Sequence, residues 1–304
     1  MKRIRTTIAL VAVAAVAATA IGASAPASKA APTGGLQNIV DTATAAGQFT
    51  TLVSLVTQAG LADTLANGGP FTVFAPTDAA FAKLPKATLD RLAANPALLK
   101  QVLLYHVLSG TVTSTDVVKL HSAKTLQGGK VKISVSGGSV YINQAKVTTP
   151  DVMASNGVIH VIDSVLVPSV LTTNIVKTAA AAGSFKTFVS LVKKAGLVKA
   201  LSGKGLYTVF APTDAAFAKV PKATLVALAA DKAKLRAVLL YHVIKGEVPA
   251  AKAMTLHKAK TLEGAKLSIS VKHGKLIVGG AVVTKADVFA SNGVIHVINK
   301  VLIP

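Results

Sequence analysis

The chain has no cysteine and no tryptophan, and only 4% of its 304 residues are aromatic. Without cysteine there is no disulfide scaffold, thiolate nucleophile, iron–sulfur cluster or Cys-ligated zinc. So few aromatics argue against a platform for stacking single-stranded bases. Acids are scarce too, with 12 Asp+Glu against 33 Lys+Arg and a formal net charge of +21. Twelve carboxylates leave little material for acid/base or metal chemistry and tilt the reading from enzyme to binding module. What is abundant is apolar: 51% of residues, too many for a disordered chain. The length suits one large or two medium domains, each big enough for its own core.

The N-terminus reads as an address. Lys2, Arg3 and Arg5 precede an apolar run from Ile8 to Ile21, then small residues at Ala23-Ser24-Ala25 and Ser28-Lys29-Ala30. The run is short for a bilayer span and fits a signal peptide over residues 1–30, cleaved after Ala30. An uncleaved membrane anchor is the alternative. No later segment has 18 uncharged apolar residues in a row, so the expectation is export to a secreted, extracellular or periplasmic location.

The remainder is one unit written twice. FTVFAPTDAAF at Phe71–Phe81 returns as YTVFAPTDAAF at Tyr207–Phe217, an offset of 136. The same offset relates LLYHV at Leu103–Val107 to Leu239–Val243, and SNGVIHVI at Ser155–Ile162 to Ser291–Ile298. Residues 36–168 align with 172–304 without a gap, and roughly 78 of 133 positions are identical. Each copy is long enough to be a whole domain. Their joint, Ser169-Val170-Leu171, is short enough to restrict relative motion.

Within a copy the period changes midway. Phe49, Leu52, Val53 and Val56 fall on one helical stripe, repeated by Phe185, Phe188, Val189 and Val192, with Gly60 and Gly196 as helix stops. Phe71–Ala75 reads as a buried strand, and Thr77 or Asp78 as a cap for the helix after it. Pro85–Ala94 and Pro96–Val107 read as helices. Val131, Ile133 and Val135 alternate with polar residues, Gly137-Gly138 offers a hairpin, and Val158–Val167 reads as a buried strand. The fold class is α+β.

These motifs, in this order and spacing in both copies, resemble the fasciclin-like domain. The resemblance implies two tandem domains, 36–168 and 172–304, each a β-sandwich-like wedge with a packed helical layer. It implies a non-enzymatic adhesion protein of the cell surface or extracellular matrix, and leaves the ligand open.

Candidate residues follow. His106/His242, His121/His257 and His160/His296 are paired between copies, but none has the spacing of a zinc site. His106 lies in an apolar helix and His160 in the buried strand, so backbone-bonded core histidines are expected. The resemblance links the Tyr-His pair to adhesion, which carries onto Tyr105-His106 and Tyr241-His242. It also points to an Asp-aliphatic dipeptide before the last strand, here Asp151-Val152 and Asp287-Val288; the plain reading is an Asp in a loop. Asp78 and Asp214 complete the shared acids, read as caps. Nucleophile-elbow, phosphate-loop and dinucleotide-loop patterns are missing, so no catalytic, cofactor-binding or metal residues are assigned.

Charge divides the copies. Residues 36–171 carry 9 Lys+Arg and 7 Asp+Glu, whereas 172–304 carry 20 and 5. Of those 20 cations, 19 are Lys and one is Arg236. Lysine is a hydrated point charge, suited to diffuse attraction and poor at bidentate readout. The expected partners are surface or matrix proteins, acidic glycans or anionic lipid headgroups, with no sequence-specific nucleic acid. Solubility alone is the plainer explanation of the lysines. A carrier of an apolar small molecule such as a carotenoid is the alternative function, with the Phe49/Leu52/Val53/Val56 stripe lining a tunnel.

Overall fold

The computed structural model describes residues 35–203 and 205–304. The expected signal peptide over residues 1–30 and its cleavage point lie outside the described residues. The first copy runs α1 (Ile39–Ala45), α2 (Thr50–Gln58), α3 (Ala62–Asn67), β1 (Phe71–Pro76), α4 (Asp78–Ala82), α5 (Lys86–Ala93) and α6 (Pro96–Leu104). It continues β2 (Val107–Ser109), α7 (Ser114–Val117), β3 (Ser122–Lys124), β4 (Lys130–Ser136), β5 (Ser139–Ile142), β6 (Ala145–Ala154) and β7 (Gly157–Ile162). A short linker helix, α8 (Ser169–Thr172), leads into the second copy.

The second copy repeats the order: α9 (Ile175–Ala181), α10 (Lys186–Lys194), α11 (Val198–Leu201), β8 (Tyr207–Pro212), α12 (Asp214–Phe217), α13 (Lys222–Ala230) and α14 (Lys232–Tyr241). Then come β9 (Val243–Lys245), α15 (Ala250–Ala253), β10 (Lys258–Lys260), β11 (Lys266–Lys272), β12 (Lys275–Val278), β13 (Ala281–Ala290) and β14 (Gly293–Ile298).

Each copy forms one seven-stranded sheet, ordered β2-β1-β7-β6-β5-β4-β3 in the first. The last strand lies between β1, which it parallels from Phe71↔Gly157 to Pro76↔Ile162, and β6, which it opposes. The edge strands approach each other at an isolated bridge, Leu108↔Thr125, so the sheet curls into a nearly closed wedge. Inside it pack Phe74, Ile133, Ile142 and Ile162; between sheet and helices pack Phe49, Leu52, Val73, Leu99 and Ile159. β7 is buried at all six residues, because alternate side chains feed these two cores.

The α2 stripe buries Leu52 and Val56, and Gly60 (φ +64°) ends the helix as expected. Gly137 and Gly138, at φ +55° and +73°, make the β4–β5 hairpin. α6 stops at Leu104, not Val107: Tyr105 is its C-cap and Val107 already pairs in β2. The SNGV turn relies on Gly157 (φ +151°), where a Cβ would sit 2.0 Å from the Phe71 carbonyl oxygen.

The copies are joined by more than the linker. The Arg91 guanidinium on α5 donates to Glu247 Oε2 (2.8 Å from Nε) and to the backbone oxygens of Ala290 (2.6 Å) and Ser291 (3.0 Å). Asn95 Nδ2 donates to Glu247 Oε1 at 2.6 Å. The side chains of Arg91 and Glu247 are only 14% and 5% exposed. Phe289 of β13 packs into the first copy's helix-side core. Arg91 and Glu247 correspond to Ala227 and Thr111 in the other copies, so the bolt exists once.

Removing one partner of a satisfied buried ion pair strands the other charge, which costs about 3–5 kcal/mol. Arg91→Ala should therefore lower the denaturant midpoint of the full chain clearly. Arg91→Met with Glu247→Leu should recover most of the loss. A single variant as stable as the parent would show that the pair contributes nothing to the joint.

Candidate functional site

The paired histidines are held inside the fold. His106 is 3% exposed; its Nδ1–H donates to the Val102 carbonyl (2.9 Å) and its Nε2 accepts from Leu166 N–H (2.9 Å). His242 repeats this with Val238 (2.7 Å) and Leu302 (2.9 Å). Both rings thereby tie the end of the long helix to the chain leaving the last strand. Burial away from water lowers both pKa values to about 4, against the smaller upward pull of the carbonyl. Tyr105 is also buried, its hydroxyl donating to the Lys130 carbonyl (2.8 Å) and accepting from Asn143 Nδ2 (3.2 Å).

His160 sits in β7 and stacks on Phe74, ring centres 5.8 Å apart, as His296 does on Phe210 at 5.5 Å. Its Nε2–H donates to the Val112 carbonyl (2.8 Å) and its Nδ1 accepts from Asp151 N–H (3.2 Å). His296 bonds Val248 and Asp287 in the same way, and burial lowers its pKa.

The Asp-Val dipeptides are not in a loop. Asp151 and Asp287 lie within β6 and β13 at irregularities of register, with φ of +55° and +57°. The carboxylate of Asp151 accepts from the backbone N–H (2.8 Å) and hydroxyl of Ser114, at the start of α7. Burial would raise its pKa, but the Ser114 bonds and nearby His160 hold it below the usual carboxylate range. Asp287 takes the N–H of Ala250, at the start of α15, at 2.9 Å. The bulge is how one strand meets both a buried ring and a helix start. Val152 and Val288 beside them are half-buried.

Asp78 also differs from expectation. Thr77 caps α4, accepting from Ala80 N–H, while the Asp78 carboxylate reaches back to cap α2. It accepts from Thr51 N–H (2.7 Å), Thr50 N–H (3.2 Å) and the Thr50 hydroxyl (2.7 Å), and these bonds lower its pKa to about 2. Asn156 carries a role that the motif search missed. Its Oδ1 accepts from Ile39 N–H at the start of α1, and its Nδ2 donates to the carbonyls of Leu65, Ala66 and Gly68 at the end of α3. Its identity in both SNGV motifs was the available signal. Among the described residues, no three His, Asp or Glu gather as metal ligands.

The shared motifs thus converge on β7 and β14 from within. The exposed His121 and His257 join none of them. This architecture, with these motifs, defines a fasciclin-type domain pair, and the chain belongs to the fasciclin-domain family, whose model matches residues 47–168 and 183–304. Transforming growth factor-beta-induced protein ig-h3 of Sus scrofa is 34% identical over 274 residues, 88% of this chain and 40% of that protein. Protein sll1483 of Synechocystis is 48% identical over 132 residues, 43% of this chain and 73% of the relative. The chain therefore spans about two fifths of the length of its animal relative. A domain pair from the insect cell adhesion molecule fasciclin I aligns with a TM-score of 0.44 and 18% identity, covering 86% of this chain and 98% of that one.

Acid should act through the buried rings. Folded His106 and His242 stay neutral down to about pH 4, whereas unfolded histidine gains its proton near 6.5. Stability is therefore complete above about pH 6.5 and falls as pH drops toward 4, by roughly 3 kcal/mol per ring. Circular dichroism melts should show Tm declining across that window. A constant Tm between pH 7 and 4.5 would contradict the buried neutral assignment.

Proposed function

We propose that the protein is an exported, non-enzymatic adhesion module whose contacts lie on the outer faces of the two domains, the second supplying attraction to anionic surface polymers. One observation carries this reading. The paired histidines of the shared motifs point into the fold, whereas the two copies differ in charge, with 9 cations against 7 acids in the first and 20 against 5 in the second. Adhesion itself is what membership of the family implies. The Tyr-His pairs support it by holding the scaffold, since Tyr105, His106 and His242 are each at most 7% exposed. The Asp151 and Asp287 carboxylates are likewise engaged with Ser114 and Ala250, and act as scaffold more than as contacts.

Among the described residues no helix is long and apolar enough to cross a membrane. Partners with dispersed negative charge suit lysine better than ligands needing a bidentate fork. Retention of the chain on intact cell surfaces should fall steeply from low to high salt. His106→Phe should lower Tm before it lowers retention measured below that Tm. Salt-independent retention, or retention lost in a variant with unchanged Tm, would overturn the reading.

A cavity favours the second reading, an apolar carrier. About 40 Å³ lies between the α1–α2 helices and the sheet of the first copy, lined almost wholly by carbon. Every lining residue has an identical counterpart 136 positions on, except Leu52, which becomes Phe188. The Phe188 ring reaches to 6.3 Å from that of His242. The first cavity fits a small apolar guest; a carotenoid would need α1 and α2 to part. Leu52→Phe should fill it and raise Tm by a few degrees. An apolar guest released from native protein, and missing in Leu52→Phe, would support the carrier; a raised Tm with no guest in the parent would reduce the cavity to a packing gap.

A further inference from the structure

The lysines of the second copy are not spread evenly. In β10, β11 and β12 the inward positions, Leu267, Ile269, Leu276 and Val278, are at most 3% exposed. The alternate positions make the outer face: Lys258 and Lys260 on β10; Lys266, Ser268, Ser270 and Lys272 on β11; Lys275 and Ile277 on β12, all exposed except the half-buried Ile277, which lies opposite Ser270. Pairing sets Lys260 directly opposite Lys266, and Lys272 directly opposite Lys275. Directly opposed side chains stand only about 5 Å apart at Cβ, where like charges destabilise a sheet. Among the described residues none of these five lysines has an ion-pair partner. The nearest acid in sequence, Glu263, hydrogen-bonds the Ala265 N–H in the β10–β11 turn.

Protection of an exposed edge explains lysine on β10 but not on β11 or β12, which pair on both sides. The first copy is the internal control. There Ser122, Ser136 and Ser139 stand where Lys258, Lys272 and Lys275 do, while Lys124 and Lys130 match Lys260 and Lys266 and Lys132 stands in place of Ser268, so the face carries three lysines in the first copy and five in the second.

We propose that this face is the docking site of an extended acidic polysaccharide. The proposal rests on the adhesion reading and gives its polymer contact an address. From Lys266 to Lys272 the row is roughly 20 Å long. It carries paired charges at both ends, and between them the hydroxyls of Ser268 and Ser270, which can donate to or accept from sugar groups. No aromatic residue lies on it to stack a base, and no arginine to grip a phosphate in two places. Separated point charges with hydroxyls between them match a polymer whose anionic groups recur along an extended chain.

The test uses the full chain and immobilised alginate, over a series of salt concentrations. One variant removes the face: Lys260→Ser, Lys266→Ser and Lys272→Ser. A second removes equal charge from helices of the same copy: Lys193→Gln, Lys194→Gln and Lys222→Gln. Melting curves confirm that both fold. The face variant should lose about tenfold or more in affinity, with a shallower salt slope from the lost counterion release. The helix variant should stay within about twofold of the parent. Equal weakening of the two variants would overturn the site and leave net charge alone. Binding to anionic lipid vesicles that depends on the same three lysines, with none to alginate, would overturn the ligand. A parent chain that binds no anionic surface would remove the adhesion reading together with this one.

Discussion

In each copy the final strand enters the middle of the sheet, parallel to the first strand and buried along its whole length, and the surrounding contacts are arranged to hold it there. Gly157 lets the chain pass the Phe71 carbonyl with no room for a Cβ. Asn156, immediately before, gathers the start of α1 and the end of α3. His160, within the strand, meets the β6 bulge and the Val112 carbonyl, and Leu166, just past it, donates to His106. Burying a polar ring in such a strand costs heavily unless both nitrogens are used, and both are. The conservatism between the copies therefore reports on strand insertion: the identical SNGVIHVI segments are a structural device written twice.

Once that device is fixed, the surfaces are free to differ, and they do so in two directions. The first copy places Arg91 where the second has Ala227, and the second places Glu247 where the first has Thr111, which makes one joint between two similar domains. The second copy meanwhile carries five lysines on a sheet face where the first carries three. One divergence joins the domains, and the other is the charge difference on which the proposed attraction to anionic polymers rests.

Much of the scaffold was legible because it depends on period. The Phe49/Leu52/Val53/Val56 stripe, the alternation around Ile133 and the apolar run after Asn156 each announce their element. Asp78 misled because its neighbours suggest a cap for its own helix, whereas its partners, Thr50 and Thr51, arrive only through tertiary folding. Asp151 read as a loop because the strand that holds it is broken in register there, and a bulge leaves no alternation for the sequence to show. The Arg91–Glu247 joint was invisible to a comparison that kept only shared positions. The lysine face needed the register of β10 on β11, which sequence spacing does not set.

The account holds that the fasciclin fold is the carrier and that its outer face does the binding, so the face should be transferable. Ser122→Lys, Ser136→Lys and Ser139→Lys would build it on the first copy of a chain whose second-copy face has been neutralised. Salt-sensitive binding to alginate should return, although Lys132 faces Ser122 where the second copy has Ser268 facing Lys258. A folded chain that carries the transplanted lysines and still fails to bind would contradict the account.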